Sequence, residues 1–425
     1  MSNDIFSKNQ LYFNDAIEDI VSHDFTNSPF IFANSREGII NCRYSTPEKT
    51  LFMHSNYNMN NEVQTFSRMI EMDNTPLLIV GFSLGYHLTS LLQESSREIF
   101  ILEPNIELFS NVTRKVDISS FLRKENLFFL FPGFSQNISE VLQRKLRIII
   151  HEPSMKIITN KSLKQTIENL YMQQLSFNRN KELMKENFLY NTSLNLDNLS
   201  SHCIQSDKII LVASGPTLDR RLELLKELSL SFPIFAAGSA LRILLKNNII
   251  PSLVFFSDPL EIVSKQIEGI ETSNLTGVFL STSSSKTLKM FKGKKLIAFQ
   301  NGYPDAQELA KKHQKKIYNV GGSVVTLMTD YAISLEPKNI LFAGFNFSLV
   351  DGELYTKSTK EDDIMMDSSA DLRKIQDYFG REIFSPKNLA IYKEWIERRI
   401  AEEKEIDFQN LCPEGAYIRN TQLYK

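Results

Sequence analysis

The stretch that most constrains the fold of this chain is residues 209–228, where an apolar run ends in a small polar turn and an amphipathic segment follows. Residues 209–213 are apolar and mostly branched, which is typical of a buried strand. Leucines then recur at helical spacing up to Leu228. The turn between strand and helix is formed by Ser214, Gly215, Pro216 and Thr217.

This turn has the chemistry of an anion site. Gly215 would let a ligand approach the backbone and Thr217 would cap the helix, so that unpaired N–H groups and the helix dipole point into the same space. The turn matches neither a P-loop nor a dinucleotide-binding fingerprint. An ordinary connection between a strand and a helix is the alternative interpretation.

The alternation of strands and helices continues after this turn, with further strands predicted at residues 232–237, 253–256, 278–280, 296–299 and 340–343. Such alternation indicates a doubly wound parallel sheet, in which ligands bind beyond the carboxyl ends of the strands. Small or polar residues lie at these predicted strand ends: Gly238, Ser239 and Asp258. A second candidate anion site is formed by Gly322 and Ser323, with Ser323 as the predicted cap of a helix.

Further along the chain, the segment after the strand 340–343 carries polar groups, including Asp351 and Tyr355. Polar loops at strand ends are often functional, whereas the acidic run at residues 357–363 is typical of solvated surface. The last long helix is predicted to start at Ser385 as cap with Pro386 in its first turn.

The N-terminal part predicts a smaller α/β unit. Antiparallel strands are expected within residues 1–60, and buried strands at 77–80, 99–102, 127–131 and 147–151, with a helix at 86–93. Glu103 ends the second buried strand, where such folds often bind a ribose hydroxyl. Because only Gly81 and Gly85 are glycines in the preceding turn, a purely structural turn is at least as well supported.

Composition excludes several classes of function. A net charge of −2 provides no general attraction to nucleic acid or to anionic lipid. The cysteines are scattered and three in number, and the Cys and His residues have no zinc-site spacing. The N-terminus lacks the features of a signal peptide and the apolar runs are too short to span a bilayer, so we expect a cytoplasmic protein without membrane insertion.

Taken together, these residues resemble the motility accessory factor (Maf) family of flagellin glycosyltransferases. The resemblance is carried by four blocks of sequence that occur in the expected order: residues 81–88 with 102–104, 213–218 with 251–259, 321–324 with 344–352, and 412–416. It implies an N-terminal Rossmann-like domain at 1–150, a helical connector at 151–207, a central domain similar to bacterial sialyltransferases at 208–360, and C-terminal helices at 361–425.

The resemblance also implies a reaction. A nonulosonic acid such as pseudaminic or legionaminic acid would pass from its CMP-activated form to Ser or Thr of flagellin, with no cofactor and no metal ion. Ser214, Gly215, Pro216 and Thr217 would hold the phosphate region. Gly238, Ser239 and Asp258 would line the cytidine side, and Gly322 and Ser323 the opposite flank. This sequence departs from the family pattern at two positions. Ser83 stands where the family usually has glycine, and Tyr355 stands where it often has histidine.

The mechanism expected from such a donor depends on charge stabilisation at the departing phosphate, for which helix N-termini at Thr217 and Ser323 are the predicted source. A base then accepts the proton of the acceptor hydroxyl. Asp351 and Glu414 are the carboxylate candidates, and Tyr355 is a candidate for binding phosphate or sugar.

Two other functions remain open from the sequence. The central block also resembles pterin pyrophosphokinases, which would need ATP and Mg²⁺ held by clustered carboxylates; Asp362 and Asp363 are the close acidic pair in that region. A non-catalytic flagellin-binding protein with a decayed site is the other alternative, supported by the departures at Ser83 and Tyr355.

Overall fold

The computed structural model describes residues 2–23, 25, 28–70, 74–94, 96–144, 146–354 and 372–424. These fall into two compact units, Met1–Phe177 and Asn178–Lys425. Within the described residues, no helix combines the length and the apolar character that crossing a membrane would require.

The first unit opens with helices and an antiparallel sheet. The helices are α1 (Ser2–Gln10) and α2 (Asp15–Ser22), and the strands are β1 (Phe30–Asn34), β2 (Ile40–Ser45) and β3 (Thr50–Phe52). Strand β2 pairs antiparallel with both β1 and β3. The antiparallel strands predicted within residues 1–60 are therefore confirmed.

A parallel sheet follows, with the order β6-β5-β4-β7. Its strands are β4 (Leu77–Val80), β5 (Ile99–Leu102), β6 (Leu127–Leu130) and β7 (Arg147–Ile150), at the positions predicted from their apolar runs. The helices of this part are α3 (Met59–Arg68), α4 (Ile106–Lys115), α5 (Ser119–Leu122), α6 (Ile138–Gln143) and α7 (Glu152–Lys156). The predicted helix at 86–93 is present as a 3₁₀ helix, Tyr86–Gln93.

The turn after β4 is held by the carboxylate of Glu103, which is fully buried. Glu103 Oε2 accepts the backbone N–H groups of Phe82 at 2.8 Å and Ser83 at 3.0 Å, and Oε1 accepts that of Asn105 at 2.8 Å. Ser83 has a φ of 51°, a left-handed conformation that favours glycine. The position where such folds often bind a ribose is therefore used to build the turn.

We expect the Glu103→Gln variant to lower the free energy of unfolding by about 1–3 kcal/mol, because its amide group turns a donor towards buried backbone N–H groups. Thermal denaturation measures this change. Glu98→Gln is the matched control, since Glu98 pairs with Arg144 on the surface, where an ion pair contributes little. Equal losses of stability in the two variants would contradict the role assigned to Glu103.

The second unit is built around a large parallel sheet. Helix α8 (Lys161–Ser193), in which the boundary between the units falls, leads into it. The strands are β8 (Asp197–Asn198), β9 (Lys208–Val212), β10 (Ile234–Ala237), β11 (Leu253–Phe256), β12 (Thr276–Leu280), β13 (Lys294–Gln300), β14 (Ile317–Tyr318), β15 (Asn339–Ala343), β16 (Leu372–Gln376), β17 (Glu382–Pro386), β18 (Asp407–Asn410) and β19 (Gln422–Leu423).

The remaining helices are α9 (Leu222–Ser229), α10 (Gly238–Lys246), α11 (Ser285–Met290), α12 (Pro304–Lys312), α13 (Val324–Ile333) and α14 (Lys387–Ala401), with 3₁₀ helices at Leu199–Ser201, Leu218–Arg221 and Glu261–Ile267. The sheet has the order β14-β13-β12-β11-β10-β9-β15-β18-β19, with β8 beside β13, while β16 and β17 form a separate hairpin. The strand order reverses at β9, which lies between β10 and β15.

Helices cover both faces of this sheet. Leu211, Phe235 and Phe255 point to the face covered by α13 and α14, where Tyr331 and Ile396 pack against them. Ile210, Val212 and Ala236 point to the opposite face and pack with side chains of α9 and α10. Alternate residues of the same strands are thus buried on opposite sides, and the predicted doubly wound α/β class is confirmed.

Three local predictions need correction. Thr217 occupies the cap position of the 3₁₀ helix Leu218–Arg221 but its side chain makes no capping hydrogen bond, and α9 begins only at Leu222. Ser385 belongs to β17, so that Pro386 occupies the cap position of α14. The C-terminal segment, expected to be helical, also supplies β18 and β19 to the main sheet.

Candidate functional site

The residues predicted to bind a ligand lie at one edge of the large sheet, beyond the carboxyl ends of its parallel strands. Ser214 follows β9 and Ser239 follows β10, and their hydroxyl oxygens are 2.8 Å apart. Ser214 is buried and Ser239 is half-buried. This hydroxyl pair lies beside the reversal of strand order, where doubly wound sheets leave a crevice for ligands.

The turn formed by residues 214–217 is clamped by the loop that follows β15. The N–H of Gly215 donates to Gly344 O at 3.0 Å. Asn346 Oδ1 accepts both the N–H of Thr217, at 3.3 Å, and its hydroxyl, at 2.9 Å. The N–H groups of Gly215 and Thr217 are therefore engaged within the protein, so the expected cradle of unpaired N–H groups is not formed by these two residues.

Gly215 serves the same clamp. A Cβ atom at this position would overlap Gly344 O and Asn346 Oδ1, far inside van der Waals contact. The absence of a side chain at Gly215 thus leaves room for the neighbouring loop, whereas the sequence pattern predicted that it leaves room for a ligand. Pro216 is half-buried in the same turn.

Two helix N-termini at this edge remain suited to an anion. Helix α10 starts directly after β10, and helix α13 starts after Ser323; in the described structure neither has a side-chain hydrogen bond at its cap residue. Ser323 occupies the cap position that the sequence predicted for it, but its hydroxyl makes no capping bond. First-turn N–H groups without a capping side chain attract negative charge.

The glycines at these helix starts have different roles. A Cβ at Gly238 would overlap the ring of Phe256, so this glycine lets α10 begin close against β11. Gly322 has a φ of 90°. A Cβ atom at this position would have, among the described residues, only the ring of Tyr392 within 4 Å, at 3.5 Å. Gly322 therefore provides a left-handed turn into α13 rather than a close contact.

Asp258 follows β11 at the same edge. Its side chain accepts the N–H of Leu260 at 2.8 Å, and its carbonyl accepts that of Ser284 at 2.9 Å. The residue is exposed, yet the surrounding protein raises the pKa of its carboxyl by partial desolvation.

The two carboxylate candidates meet through arginines of the 3₁₀ helix after the turn. Arg220 contacts Asp351 at 2.6 Å and Glu414 at 3.6 Å, and Arg221 contacts Glu414 at 3.1 Å. Residues far apart in the chain are thus brought together by these ion pairs. Tyr355, the third catalytic candidate, lies outside the described residues.

Three residues of this arrangement were not identified from the sequence: Arg220, Arg221 and Asn346. The adjacent arginines directly after the turn were the available signal. Asn346 is buried, and among the described residues its Nδ2 has no hydrogen-bond partner. Its Oδ1 clamp depends on folding of distant segments, which no local pattern reveals.

A pocket of about 350 Å³ opens next to Arg221. It is lined by Arg221, Leu224, Asn410, Leu411, Pro413, Leu423 and Tyr424. Of the residues predicted to bind the donor, none lines it. The pocket therefore borders the arginine pair and is separate from the serine pair.

Comparison with protein families identifies the same part of the chain. Residues 182–352 match the model of the MptE-like family, described as 6-hydroxymethylpterin diphosphokinase MptE-like. This family of domains is found in Maf proteins. No curated protein matches the sequence closely enough to be counted as a relative.

Among solved structures, the Maf glycosyltransferase from Magnetospirillum magneticum AMB-1 is similar over 100% of this chain and 75% of its own, with a TM-score of 0.50 and 15% identity. A hydrogen sulfide-producing enzyme from Fusobacterium nucleatum matches 78% of this chain and 97% of its own at 11% identity, but with a TM-score of only 0.15. The first match confirms the resemblance to Maf proteins at the level of the fold.

Proposed function

We propose that this chain, which has the fold of a Maf glycosyltransferase over its full length, transfers a nonulosonic acid from a CMP-sugar to Ser or Thr hydroxyls of flagellin in the cytoplasm. The observation that carries the proposal is the pair of hydroxyls of Ser214 and Ser239, 2.8 Å apart at the reversal of strand order. Pseudaminic and legionaminic acid are the sugar types we propose.

The donor phosphate would bind at the serine pair. Both hydroxyls can donate to phosphate oxygens, and the N-terminus of α10 adds the positive end of a helix dipole. As the bond between sugar and phosphate breaks, negative charge develops on the phosphate. Preorganised hydrogen-bond donors stabilise that charge most effectively. Asp258 would contact the cytidine, and Gly322 with Ser323 would border the opposite side.

A nonulosonic acid brings a second anion, its own carboxylate. Arg220 and Arg221 lie five to seven residues after the serine and glycine of the turn and already hold carboxylates, those of Asp351 and Glu414. Guanidinium groups bind carboxylates in two-pronged geometry. We therefore assign recognition of the sugar carboxylate to this arginine pair.

Acceptance of the proton from the acceptor hydroxyl is assigned to Asp351, with Glu414 as the alternative. Both carboxylates lie at the carboxyl edge of the sheet, on loops after β15 and β18. Their contacts with Arg220 fix them on one side of the site. Tyr355 remains a candidate for binding phosphate or sugar.

The direct test is a transfer assay. Purified chain is incubated with flagellin and with CMP-pseudaminic or CMP-legionaminic acid, and intact mass measurement of flagellin reports the transfer. One added nonulosonic acid residue per modified hydroxyl is the expected result. An unchanged flagellin mass with both donors, under conditions where the chain binds CMP, would contradict the proposed reaction.

The pyrophosphokinase alternative corresponds to the description of the domain family matched at residues 182–352, a match that does not imply kinase activity. Thermal denaturation with CMP or ATP separates the hypotheses, because a ligand that binds only the folded state at 100 times its Kd stabilises it by about 2.7 kcal/mol. We expect stabilisation by CMP. Stabilisation by ATP with Mg²⁺ alone would favour pyrophosphate transfer, and stabilisation by neither nucleotide would favour a non-catalytic flagellin-binding protein.

We further expect transfer to proceed in EDTA without added Mg²⁺ or Mn²⁺. The charge on the departing phosphate is assigned to hydroxyls and a helix terminus, so no metal ion is needed for this step. The rate of flagellin modification before and after dialysis against EDTA, well below the melting temperature, is the measurement. A loss of nearly all activity that Mg²⁺ or Mn²⁺ restores would contradict this assignment.

A further inference from the structure

In the first unit, four side chains from separate segments converge on one point. His54 follows β3, Glu62 lies on α3, His87 lies on the 3₁₀ helix and His151 follows β7. Each offers a ligand atom, and these atoms all lie within 4.8 Å of one another. The three histidines are buried, with at most 5% of their surface exposed. Buried histidines gathered around a carboxylate are typical of a metal centre.

The hydrogen bonds of His87 determine which nitrogen is free. Its Nε2 lies 3.2 Å from the carbonyl oxygen of Gly81, which can only accept, so Nε2 carries the proton. The ring is fully buried. Nδ1 therefore presents a lone pair, and it is a buried atom without a hydrogen-bond partner in the described structure.

In His151 one ring nitrogen is likewise hydrogen-bonded and the other is not; the Ser154 hydroxyl can accept a proton from Nδ1, which leaves Nε2 able to hold the lone pair. Its Nδ1 is 2.8 Å from the hydroxyl oxygen of Ser154. Its Nε2 is buried, has no hydrogen-bond partner among the described residues, and lies 3.8 Å from Glu62 Oε1. A buried polar atom that nothing satisfies costs about 1–3 kcal/mol, so a ligand that binds these two nitrogens would be favoured at this point.

His54 orients the carboxylate. Leu84 donates its N–H to His54 Nε2 at 3.2 Å, so the proton of this ring lies on Nδ1, which donates to Glu62 Oε1 at 2.6 Å. The N–H of Ser55 donates to Glu62 Oε2 at 2.6 Å. A carboxylate held by hydrogen bonds of this kind is the usual support around a metal ligand.

We propose that the first unit binds a divalent transition-metal ion through Glu62, His87 Nδ1 and His151 Nε2, with His54 positioning Glu62. Imidazole and carboxylate ligands without thiolate suit Zn²⁺ and Fe²⁺ among other ions. Zn²⁺ held by three protein ligands keeps its fourth position for water. This site is separate from the proposed transfer reaction and does not depend on it.

Binding requires a small rearrangement. The rings of His87 and His151 stack, with centroids 4.3 Å apart and an angle of 20° between their planes. A tetrahedral ion with bonds of about 2.1 Å holds its ligand atoms roughly 3.4 Å apart. The stacked rings therefore have to open so that both lone pairs point at the ion.

The ion would join α3, the 3₁₀ helix and the end of β7. These elements frame the turn whose glycines, Gly81 and Gly85, have φ values of 97° and 83°. A ligand that binds only the folded state stabilises it, so the ion is expected to raise the melting temperature of the chain.

The test uses the full chain, purified without a histidine tag, treated with chelator and titrated with Zn²⁺ in a calorimeter. We expect about one equivalent bound and a higher melting temperature. Glu62→Gln retains an acceptor for Ser55 and should weaken binding at least 100-fold, as should His87→Ala. His54→Gln should weaken it by about 10–100-fold, the usual effect of losing a support.

His313→Ala is the matched control, since His313 is exposed and distant in sequence from the cluster. It should bind Zn²⁺ like the wild type. Absence of Zn²⁺ binding by the wild type would overturn the proposal. Water would then be the hydrogen-bond partner of His87 Nδ1 and His151 Nε2. Equal affinity in the wild type, Glu62→Gln and His87→Ala would overturn it as well, by showing that Zn²⁺ binds elsewhere.

Discussion

The Gly215→Val variant should bind CMP at least 100-fold more weakly than the wild type and should also melt several degrees lower. The added side chain would overlap Gly344 O and Asn346 Oδ1, which hold the turn next to the serine pair. Forcing extra atoms into a packed place costs about 1–3 kcal/mol or more. For a unit of this size, each kcal/mol lowers the melting temperature by roughly 2–4 °C. Calorimetry with CMP and thermal denaturation measure the two effects.

Ser239→Ala is the informative comparison. It removes one hydroxyl from the proposed phosphate site without adding atoms, so CMP affinity should fall by about 2–12-fold, the equivalent of one neutral hydrogen bond. The melting temperature of the ligand-free chain should fall by a few degrees, because the buried Ser214 hydroxyl loses its partner Ser239. Normal CMP affinity in the Gly215→Val variant would show that the donor does not bind at this edge of the sheet. Weakened CMP binding at an unchanged melting temperature would instead restore the interpretation that Gly215 faces the ligand.

The strands could be predicted because each is a short run of apolar, branched or aromatic residues ended by a turn. Residues 253–256 were predicted as a strand with the bounds observed for β11. Strands β18 and β19 escaped prediction because they are short and partly polar, with sequences DFQN and QL. The place of β18 in the sheet depends on pairing with β15, which comes long before it in the chain, and β19 in turn pairs with β18.

The sequence predicted where the site residues lie in the fold but not which residues they contact. Polar residues at the ends of parallel strands necessarily share one edge of the sheet, so Ser214, Ser239 and Asp258 were identified correctly as neighbours of that edge. Their partners could not be inferred, because the contacts cross long separations. Thr217 was expected to cap a helix, yet Asn346, 129 residues later, accepts its hydrogen bonds instead.

The same limit applies to the histidine cluster of the first unit. Zinc-site motifs are recognised when ligands recur at short, regular spacing. His54, Glu62, His87 and His151 are separated by 8, 25 and 64 residues. Only the parallel sheet and the turn after β4 bring them together, so a spacing rule could not reveal this cluster.

Asp351→Asn should reduce turnover by about 10²–10⁴-fold while leaving CMP affinity unchanged, if Asp351 accepts the proton of the acceptor hydroxyl as proposed. The substitution isolates that role. Asp351 has a φ of 53°, a left-handed conformation that asparagine also tolerates, so the turn should remain intact. The exposed contact with Arg220 contributes at most about 1 kcal/mol to stability.

Steady-state kinetics of flagellin modification provide the measurement, and Asp219→Asn provides the matched control. Asp219 is exposed in the 3₁₀ helix beside Arg220, so its substitution removes one negative charge close by without touching the proposed base. Its turnover should stay near that of the wild type. If Asp351→Asn behaves like Asp219→Asn, the carboxylate of Asp351 only anchors Arg220, and the proton has to be accepted by another group. Glu414→Gln then becomes the decisive variant, because Glu414 is the other carboxylate that Arg220 holds at this edge.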